Sequence, residues 1–542
     1  MNAISRFNVN GHVGRGAYET PEFPFLNDFI HHLDYLGIDR SLVWHVEARD
    51  SNPVWGNRRL LEEIDEGGYG ARLIPAFVIT PACYYKYGTI AFLKENMSSG
   101  RVRALRIIPD VCRFQVREIE RTLAELAEFE PLVLWDCPVF PDEFHVRDFE
   151  YLAKKFTKVN FAITQKMWPG FGSVLDLMWR CPNIYVDTSW LHMRDTIELL
   201  TDNFGAERVL FGIGCKSHYG AAVAALAHAQ IKPEQKELIA HRNIERLLNI
   251  KPITGKLVSS SNMLENKALW KKFSTGQPVS GVKIIDAHAH SGPSSGRGWF
   301  IRESDSDKCL QALVRQMDRL GVHKLIICPG RALFGEAVMG NRVTAEATKK
   351  YRDRFSGYLV YPPLYGKEMA AEFDNFFADG FFVGFKILPS YWKIPVTSPG
   401  YIPMWKYADK YHLPILIHTW DDSYNSPAML RDVAGKYPGA TFLLGHSGGG
   451  TRGRNEAEEL ALANPNVMLE FCGSFTAPKP FEDSMKTVGI NRVVFGSDTE
   501  AHCEAWELGR FLSMPLPDKE LIPALGANIE RILAKSKLAI RK

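Results

Sequence analysis

The 542-residue sequence predicts two tandem (β/α)8 barrels of the α/β class. Three observations predict it. Short apolar segments rich in Val, Ile, Leu and Phe alternate with segments of helical periodicity, the pattern of βαβ units and a parallel sheet. About eight such units fit into about 250 residues, the size of one barrel. The pattern then starts again near Val282, and short phrases of the first half recur in the same order about 280 residues later. A doubly wound open sheet is the alternative, disfavoured because no GxGxxG follows the first strand.

In chain order, a strand is expected over roughly 4–9 and a helix over 22–36. Ser41-Leu42-Val43-Trp44 reads as a strand, 57–66 as a helix and 72–78 as a strand. Strand 103–108, helix 117–128 and strand 132–135 follow, then strands near 159–163, 183–187 and 208–212. Residues 251–280 break the alternation. Val258-Ser259-Ser260-Ser261-Asn262 is polar and loop-like, and Asn266 to Phe273 suits a short helix. The expected organisation is a first domain at 1–250, a linker at 251–280 and a second domain at 281–542. Four phrases align the halves: Gly56-Asn57-Arg58 with Gly340-Asn341-Arg342, Pro131-Leu132-Val133-Leu134 with Pro414-Ile415-Leu416-Ile417, Val209-Leu210-Phe211-Gly212 with Val493-Val494-Phe495-Gly496, and Asn243-Ile244-Glu245-Arg246 with Asn528-Ile529-Glu530-Arg531.

Bulk properties narrow the function. A net charge of +3 gives no electrostatic footprint for nucleic acid. No run of about 18 apolar residues suggests a membrane span, and the N-terminus lacks a signal-peptide core. Nine scattered cysteines without a CxxC pair point to a reducing compartment, so a cytoplasmic location is expected.

In the second half, metal-type residues close one apolar strand after another. His288 and His290 end the first, in Ile284-Ile285-Asp286-Ala287-His288-Ala289-His290. His418 ends Ile415-Leu416-Ile417, His446 follows Phe442-Leu443-Leu444-Gly445, and Asp498 follows Phe495-Gly496-Ser497. A parallel barrel gathers all its C-terminal strand ends on one rim, where barrel active sites sit. Imidazole and carboxylate together suit Zn²⁺, Mn²⁺ or Fe²⁺. Ser447-Gly448-Gly449-Gly450 reads either as a backbone anion cradle or as a loop that leaves room beside the metal.

These residues, with Gly384-Phe385-Lys386-Ile387-Leu388-Pro389, resemble the amidohydrolase superfamily, in particular its amidohydrolase-2 branch, which includes aminocarboxymuconate semialdehyde decarboxylase. The resemblance spans nearly all of residues 282–535. It implies one divalent metal, most simply zinc, held by His288, His290, His418 and Asp498, with His446 as a catalytic or second-metal histidine. It also implies one of two roles for Lys386: a carbamylated bridge between two metals, or, as preferred here, a cation that orients a substrate anion.

The first half carries a degraded copy. His288 aligns with Asn10, His290 with His12, Lys386 with Arg106, His418 with Trp135, His446 with Gln165 and Asp498 with Gly214. A lone imidazole does not hold a divalent ion against water, so the first barrel is expected to be catalytically dead. It then serves as an intrachain pseudo-dimer partner, lending Arg49 or Arg106 to the other barrel, as a stabiliser, or as a regulatory-ligand site. A homodimer of whole chains is compatible with the sequence.

Two reactions on a small-molecule substrate are expected from this set. In hydrolysis of an amide, lactone or similar carbonyl compound, a metal-activated water attacks, Asp498 moves its proton and His446 stabilises the oxyanion. In non-oxidative decarboxylation of an unsaturated or aromatic acid, Asp498 or His446 protonates the carbon that loses CO₂, and Trp392 and Trp420 flank a flat ring. Hydrolysis is the first expectation because it asks least of the remaining residues.

Overall fold

The computed structural model describes residues 4–17, 21–85, 89–137, 143–165, 170–253, 266–292, 306–473 and 479–538. The chain divides into two compact units, Met1–Glu265 and Asn266–Lys542.

The first unit is a ring of parallel strands in sequence order: β1 (Phe7–Val13), β2 (Arg40–His45), β3 (Leu73–Val78), β4 (Ala104–Ile107), β5 (Leu132–Asp136), β6 (Asn160–Thr164), β7 (Ile184–Asp187) and β8 (Val209–Leu210). The Val9 N–H donates to Phe211 O at 2.9 Å and joins the last strand to the first. Observed and expected strands coincide to within a few residues, except that β1 runs on to Val13, so Asn10 and His12 lie inside it.

The second unit repeats the plan with β9 (Ile285–Ser291), β10 (Lys324–Pro329), β11 (Phe355–Val360), β12 (Phe382–Ile387), β13 (Pro414–His418), β14 (Thr441–Gly445) and β15 (Val467–Leu469). The eighth position is taken by residues 493–495. Val494 N–H donates to Leu469 O at 3.0 Å, and Ala287 N–H donates to Phe495 O at 2.9 Å. The helix Ala268–Phe273 buries Leu269, Trp270 and Phe273 in this unit, and Leu269 N–H donates to Asp518 Oδ2 at 2.9 Å. The second unit therefore includes a segment that composition places in a linker. Val258 to Asn262 of that linker lie outside the described residues.

The recurring phrases have structural reasons. Asn57 donates to Val78 O at 2.9 Å and accepts from Val78 N–H at 3.0 Å. Asn341 makes the same pair with Val360 at 3.0 and 3.1 Å. Each asparagine thus satisfies the end of the third strand of its barrel, where the ladder runs out. Asn243 donates to Ala206 O and Val209 O, and Asn528 to Ile490 O and Val493 O, so each stitches the last helix to the eighth strand. Gly56 and Gly340 are fixed by contact: a Cβ would stand 2.1 Å from Ala48 N and 2.5 Å from Ala332 N, respectively.

Small and large residues share each barrel interior. Ala76, Ala104 and Ala162 pack with Phe7, Leu42 and Leu132 in the first. Ala287 packs with Tyr358, Leu416, Leu443 and Met468 in the second. No helix among the described residues is long and apolar enough to cross a membrane.

Replacing Asn57 or Asn341 by Ala should cost about 1–3 kcal/mol each, because a buried backbone N–H and C=O lose their partner. Urea unfolding of the two variants checks this, and a cost well below that range for both would refute the bracing role.

Candidate metal centre

The centre of the second unit begins with a buried carboxylate. Asp286 Oδ1 accepts the N–H of His288 at 2.9 Å and the N–H of Ser497 at 3.2 Å, and Ser497 Oγ donates to Oδ2. Asp498 N–H donates back to His288 O at 2.7 Å. β9 and the turn after the eighth strand are thereby fixed to each other, and so are the residues they carry.

His290 Nε2 lies 2.6 Å from Asp498 Oδ1, and His288 Nε2 lies 3.5 Å from the same oxygen. Donor atoms of His288, His290 and Asp498 all fall within 4.8 Å of one another, so this set fits a divalent ion with nitrogen and oxygen ligands. Lys386, from β12 and 1% exposed, brings Nζ to 2.8 Å from His288 Nε2. His418, at the end of β13, packs its ring 4.6 Å from that of His446 and stands beside the three-residue group without belonging to it. Thus all six expected site residues meet on one rim.

The electrostatics divide the site. Burial works against an ionised Asp498, but His502, His288 and His290 outweigh it and hold the carboxyl well below its usual range. Burial lowers His288 and His418 well below the usual imidazole range, and neighbouring Lys386 and His446 add to this. Burial likewise takes His446 down to about 4. For His290 burial is overcome by Cys328 and Asp498, which push it up to about 10. A bound cation would replace that proton.

Several residues at the centre carried no sequence signal. Glu470 directly follows β15, and its Oε2 lies 2.9 Å from His288 Nδ1. With Nε2 turned toward Lys386 and Asp498, Nδ1 carries the proton and donates to Glu470, which fixes tautomer and ring orientation. Burial pushes Glu470 up to about 8. Cys328 Sγ lies 3.1 Å from His290 Nδ1. Cys472 Sγ lies 3.3 Å from His288 Nδ1. His502 Nε2 stands 3.7 Å from Asp498 Oδ2. Tyr391 meets the His418 ring edge-on at 5.1 Å. Only β15's brevity and the short phrase Glu470-Phe471-Cys472 hint at the two residues after it.

The structure separates the two tryptophans. Trp420 stacks parallel to His418 at 6.0 Å and is half-buried at the mouth. Trp392 donates its indole N–H to Leu333 O at 3.0 Å and packs on the barrel core, so it does not flank the site. The glycine run is not an anion cradle. Gly448 N–H goes to Thr419 Oγ1, Gly449 N–H to His446 O and Gly450 N–H to Gly448 O. Its glycines serve packing instead: Gly449 has φ +69°, and a Cβ there would stand 2.6 Å from the Trp420 ring.

In the first unit the same scaffold holds different chemistry. Asn8 Oδ1 accepts the N–H groups of Asn10 and Ile213 at 3.0 and 2.9 Å, the brace that Asp286 makes in the second. Arg106 is fully buried, pairs with Asp136, and donates to Asn10 Oδ1. Arg49 pairs with Asp50 at 2.5 Å. The two cations proposed from sequence as loans to the other barrel are thus engaged within their own unit. Burial, Arg106 and Arg49 take His12 down to about 4. Gln165 N–H donates to Asp187 Oδ1 at 3.2 Å, as His446 N–H does to Glu470 at 3.3 Å. At Gly214 a Cβ would stand 1.9 Å from His218 Nδ1, so the histidine ring fills the place of a side chain there.

Fold and centre together define a (β/α)8 protein with a metal-type site on one of its two barrels. The amidohydrolase family profile matches residues 131–250 and 285–539, more than half of the chain and part of each unit. The chain belongs to the amidohydrolase family. No curated protein matches it. Among solved structures, 5-carboxyvanillate decarboxylase from Sphingomonas paucimobilis is 14% identical, with 47% of this chain and 99% of that one covered and a TM-score of 0.36. The 2,6-dihydroxybenzoate decarboxylase from Rhizobium is 15% identical over 48% and 99%, with a TM-score of 0.36. The 5-carboxyvanillate decarboxylase from Novosphingobium aromaticivorans, complexed with manganese and 4-hydroxy-3-methoxy-5-nitrobenzoic acid, is 15% identical over 47% and 96%, with a TM-score of 0.37.

Asp187 gives the first unit a pH signature. Burial pushes its carboxyl up to about 7, against hydrogen bonds from Ser189 and the charge of Arg106. The folded state holds this proton to about pH 7, whereas the unfolded chain releases it near the ordinary 3.8. Its contribution is therefore full below about pH 4 and is lost as pH rises through 7. Thermal unfolding at pH 5 and pH 7.5 should show a smaller loss for Asp187→Asn than for the parent chain. Equal losses would mean that this proton is not held.

Proposed function

We propose that the second unit is a metal-dependent enzyme for small, flat carboxylic acids, and that its reaction is non-oxidative decarboxylation. The observation that carries this reading is a buried cation beneath an aromatic mouth. Lys386 Nζ sits at His288, while half-buried Trp420 and Tyr391 flank His418 above it. This reverses the order of expectation from sequence, which set hydrolysis first.

His288, His290 and Asp498, with His418 beside them, would hold the ion, zinc by donor type, although manganese is present in one of the decarboxylase structures named above. When bound, the ion supplies Lewis-acid polarisation of substrate oxygens. Lys386 binds the substrate carboxylate and orients it. Trp420 and Tyr391 cover the ring face and exclude water. The bond to the carboxylate carbon breaks, its electron pair stays on the ring carbon, and as CO₂ leaves that carbon takes a proton that Asp498, ionised at rest, or His446, neutral at rest, has first taken up from solvent. Hydrolysis is the second reading, and the ionised state of Asp498 favours it, since a carboxylate held well below its usual range accepts a proton from water readily. Catalysis belongs to the second unit alone, because Asn10, Trp135, Gln165 and Gly214 offer no metal-type ligand in the first.

A panel of hydroxylated aromatic acids, amides and lactones, read for both CO₂ and hydrolytic acid, decides between the readings. CO₂ release without hydrolytic acid is expected, and hydrolytic acid alone would sink the decarboxylase proposal. Asp498→Asn should lower kcat by about 10²–10⁴-fold with the fold kept. Lys386→Met should act mainly on KM for carboxylate substrates. Gln165→Ala should leave turnover within about twofold, and its loss would refute confinement to the second unit.

A further inference from the structure

Behind the His290–Asp498 side of the centre lies a second set of donors, two of which, Glu470 and Cys472, have no part in the proposed reaction. His288 turns Nε2 toward Asp498 and Nδ1 the other way. Around that Nδ1 stand Glu470, Cys472 and His446, all buried, with donor atoms of the four residues within 4.8 Å of one another. We propose that this set binds a second, structural zinc ion, bridged to the first metal position through the imidazole ring of His288.

The spacing supports a tetrahedral ion. Zinc–nitrogen and zinc–oxygen bonds of about 2.0–2.2 Å and zinc–sulfur bonds of about 2.3 Å give tetrahedral donor–donor edges of roughly 3.3–3.7 Å. Two edges match, 3.3 Å from Cys472 Sγ to His288 Nδ1 and 3.7 Å from Cys472 Sγ to His446 Nδ1, while the two to Glu470 Oε2, 2.9 Å from His288 Nδ1 and 3.0 Å from Cys472 Sγ, are now hydrogen-bond distances, so the carboxylate moves outward by a few tenths of an ångström on binding. Two imidazoles, a thiolate and a carboxylate are a zinc set, and four protein donors leave no open position, as in structural sites. Protons leave to solvent on binding from the Cys472 thiol, from His288 Nδ1 and, below about pH 8, from the Glu470 carboxyl, while the His446 proton passes from Nδ1 to Nε2. His446 Nδ1 also lies 2.7 Å from Cys472 O, and the ion takes the place of that hydrogen bond.

The first unit supplies an internal contrast. The four positions there hold Asn10, Gln165, Asp187 and Ser189. They bond to one another instead: Asn10 Nδ2 to Ser189 Oγ at 3.3 Å, Ser189 Oγ to Asp187 Oδ1 at 2.8 Å, and Gln165 Nε2 to Asn10 Oδ1 at 3.4 Å. Thiol and both imidazoles are absent together, and amides and a hydroxyl close the gap. The set also differs from a two-metal centre bridged by a modified Lys386, since Lys386 faces the opposite ring nitrogen of His288.

The proposal shares His288 and His446 with the reading of the active centre, and its test is separate from turnover. The purified full-length chain is analysed for zinc, then stripped and reloaded with Co²⁺ for absorption spectroscopy. The expected result is about two zinc equivalents per chain and a near-ultraviolet thiolate-to-cobalt charge-transfer band. Cys472→Ser should fall to about one equivalent and lose the band. His290→Ala should also fall to about one equivalent but keep it. One equivalent without a thiolate band in the parent chain overturns the proposal, whether or not the variants fold. Two equivalents without that band also overturn it, and so does a band that survives in Cys472→Ser. CO₂ release by a chain with one equivalent and no thiolate band would leave the decarboxylase reading standing while removing this one.

Discussion

The second unit depends on the buried side chain two residues before His288. Asp286 accepts backbone N–H groups from the first strand and from the turn after the eighth, the two ends of a barrel that must close on itself. Without that acceptor the ring would still have its ladder, but His288 and His290 would not be set against Asp498 to within a hydrogen bond. Burial pushes the Asp286 carboxyl well above its usual range, against the hydrogen bonds it accepts. The first unit shows that charge is dispensable: Asn8, an amide, accepts the equivalent pair of N–H groups. Scaffold and chemistry are thus separable in this chain. The brace has been kept in both barrels, and the metal-type side chains in one.

Much of this was legible because barrel topology converts sequence order into a rim. Any polar residue that ends an apolar parallel strand must arrive there, so His288, His290, His418, His446 and Asp498 announced a common centre without contact information. The repeat added a control: each residue had a counterpart, and the non-ligating side chains Asn10, Trp135, Gln165 and Gly214 set the first barrel apart from the second. Asn57 and Asn341 were visible as repeats, although their purpose, capping a strand end, appears only in the hydrogen bonds.

The residues that escaped sequence reading did so for physical reasons. β15 has three residues, too short for periodicity, and its close gives a glutamate and a cysteine that look like ordinary loop chemistry. Their importance comes from facing the far nitrogen of His288, which no spacing rule reports. Trp392 and Trp420 are equivalent as letters, yet one spends its N–H on a core carbonyl and the other stacks on a site histidine. The glycine run after His446 could be read as an anion cradle, because glycine frees backbone N–H groups, or as a loop that leaves room beside the metal. Here those groups are consumed by the turn itself. The helix at Ala268–Phe273 read as linker because its flanks are polar, whereas three buried apolar side chains attach it to the second unit.

The contact at Gly214 limits what the first barrel can hold at that position. His218 stands four residues beyond Gly214, as His502 stands four beyond Asp498. In the second unit that histidine faces a carboxylate, while in the first it has moved into the space where a carboxylate would start. An acid introduced at 214 therefore meets the ring before it meets any metal, and the ring is itself packed against Trp190 at 4.7 Å. A single substitution there produces an overpacked site. Position 214 is thus coupled to 218 and 190: no side chain fits there until the histidine ring gives way.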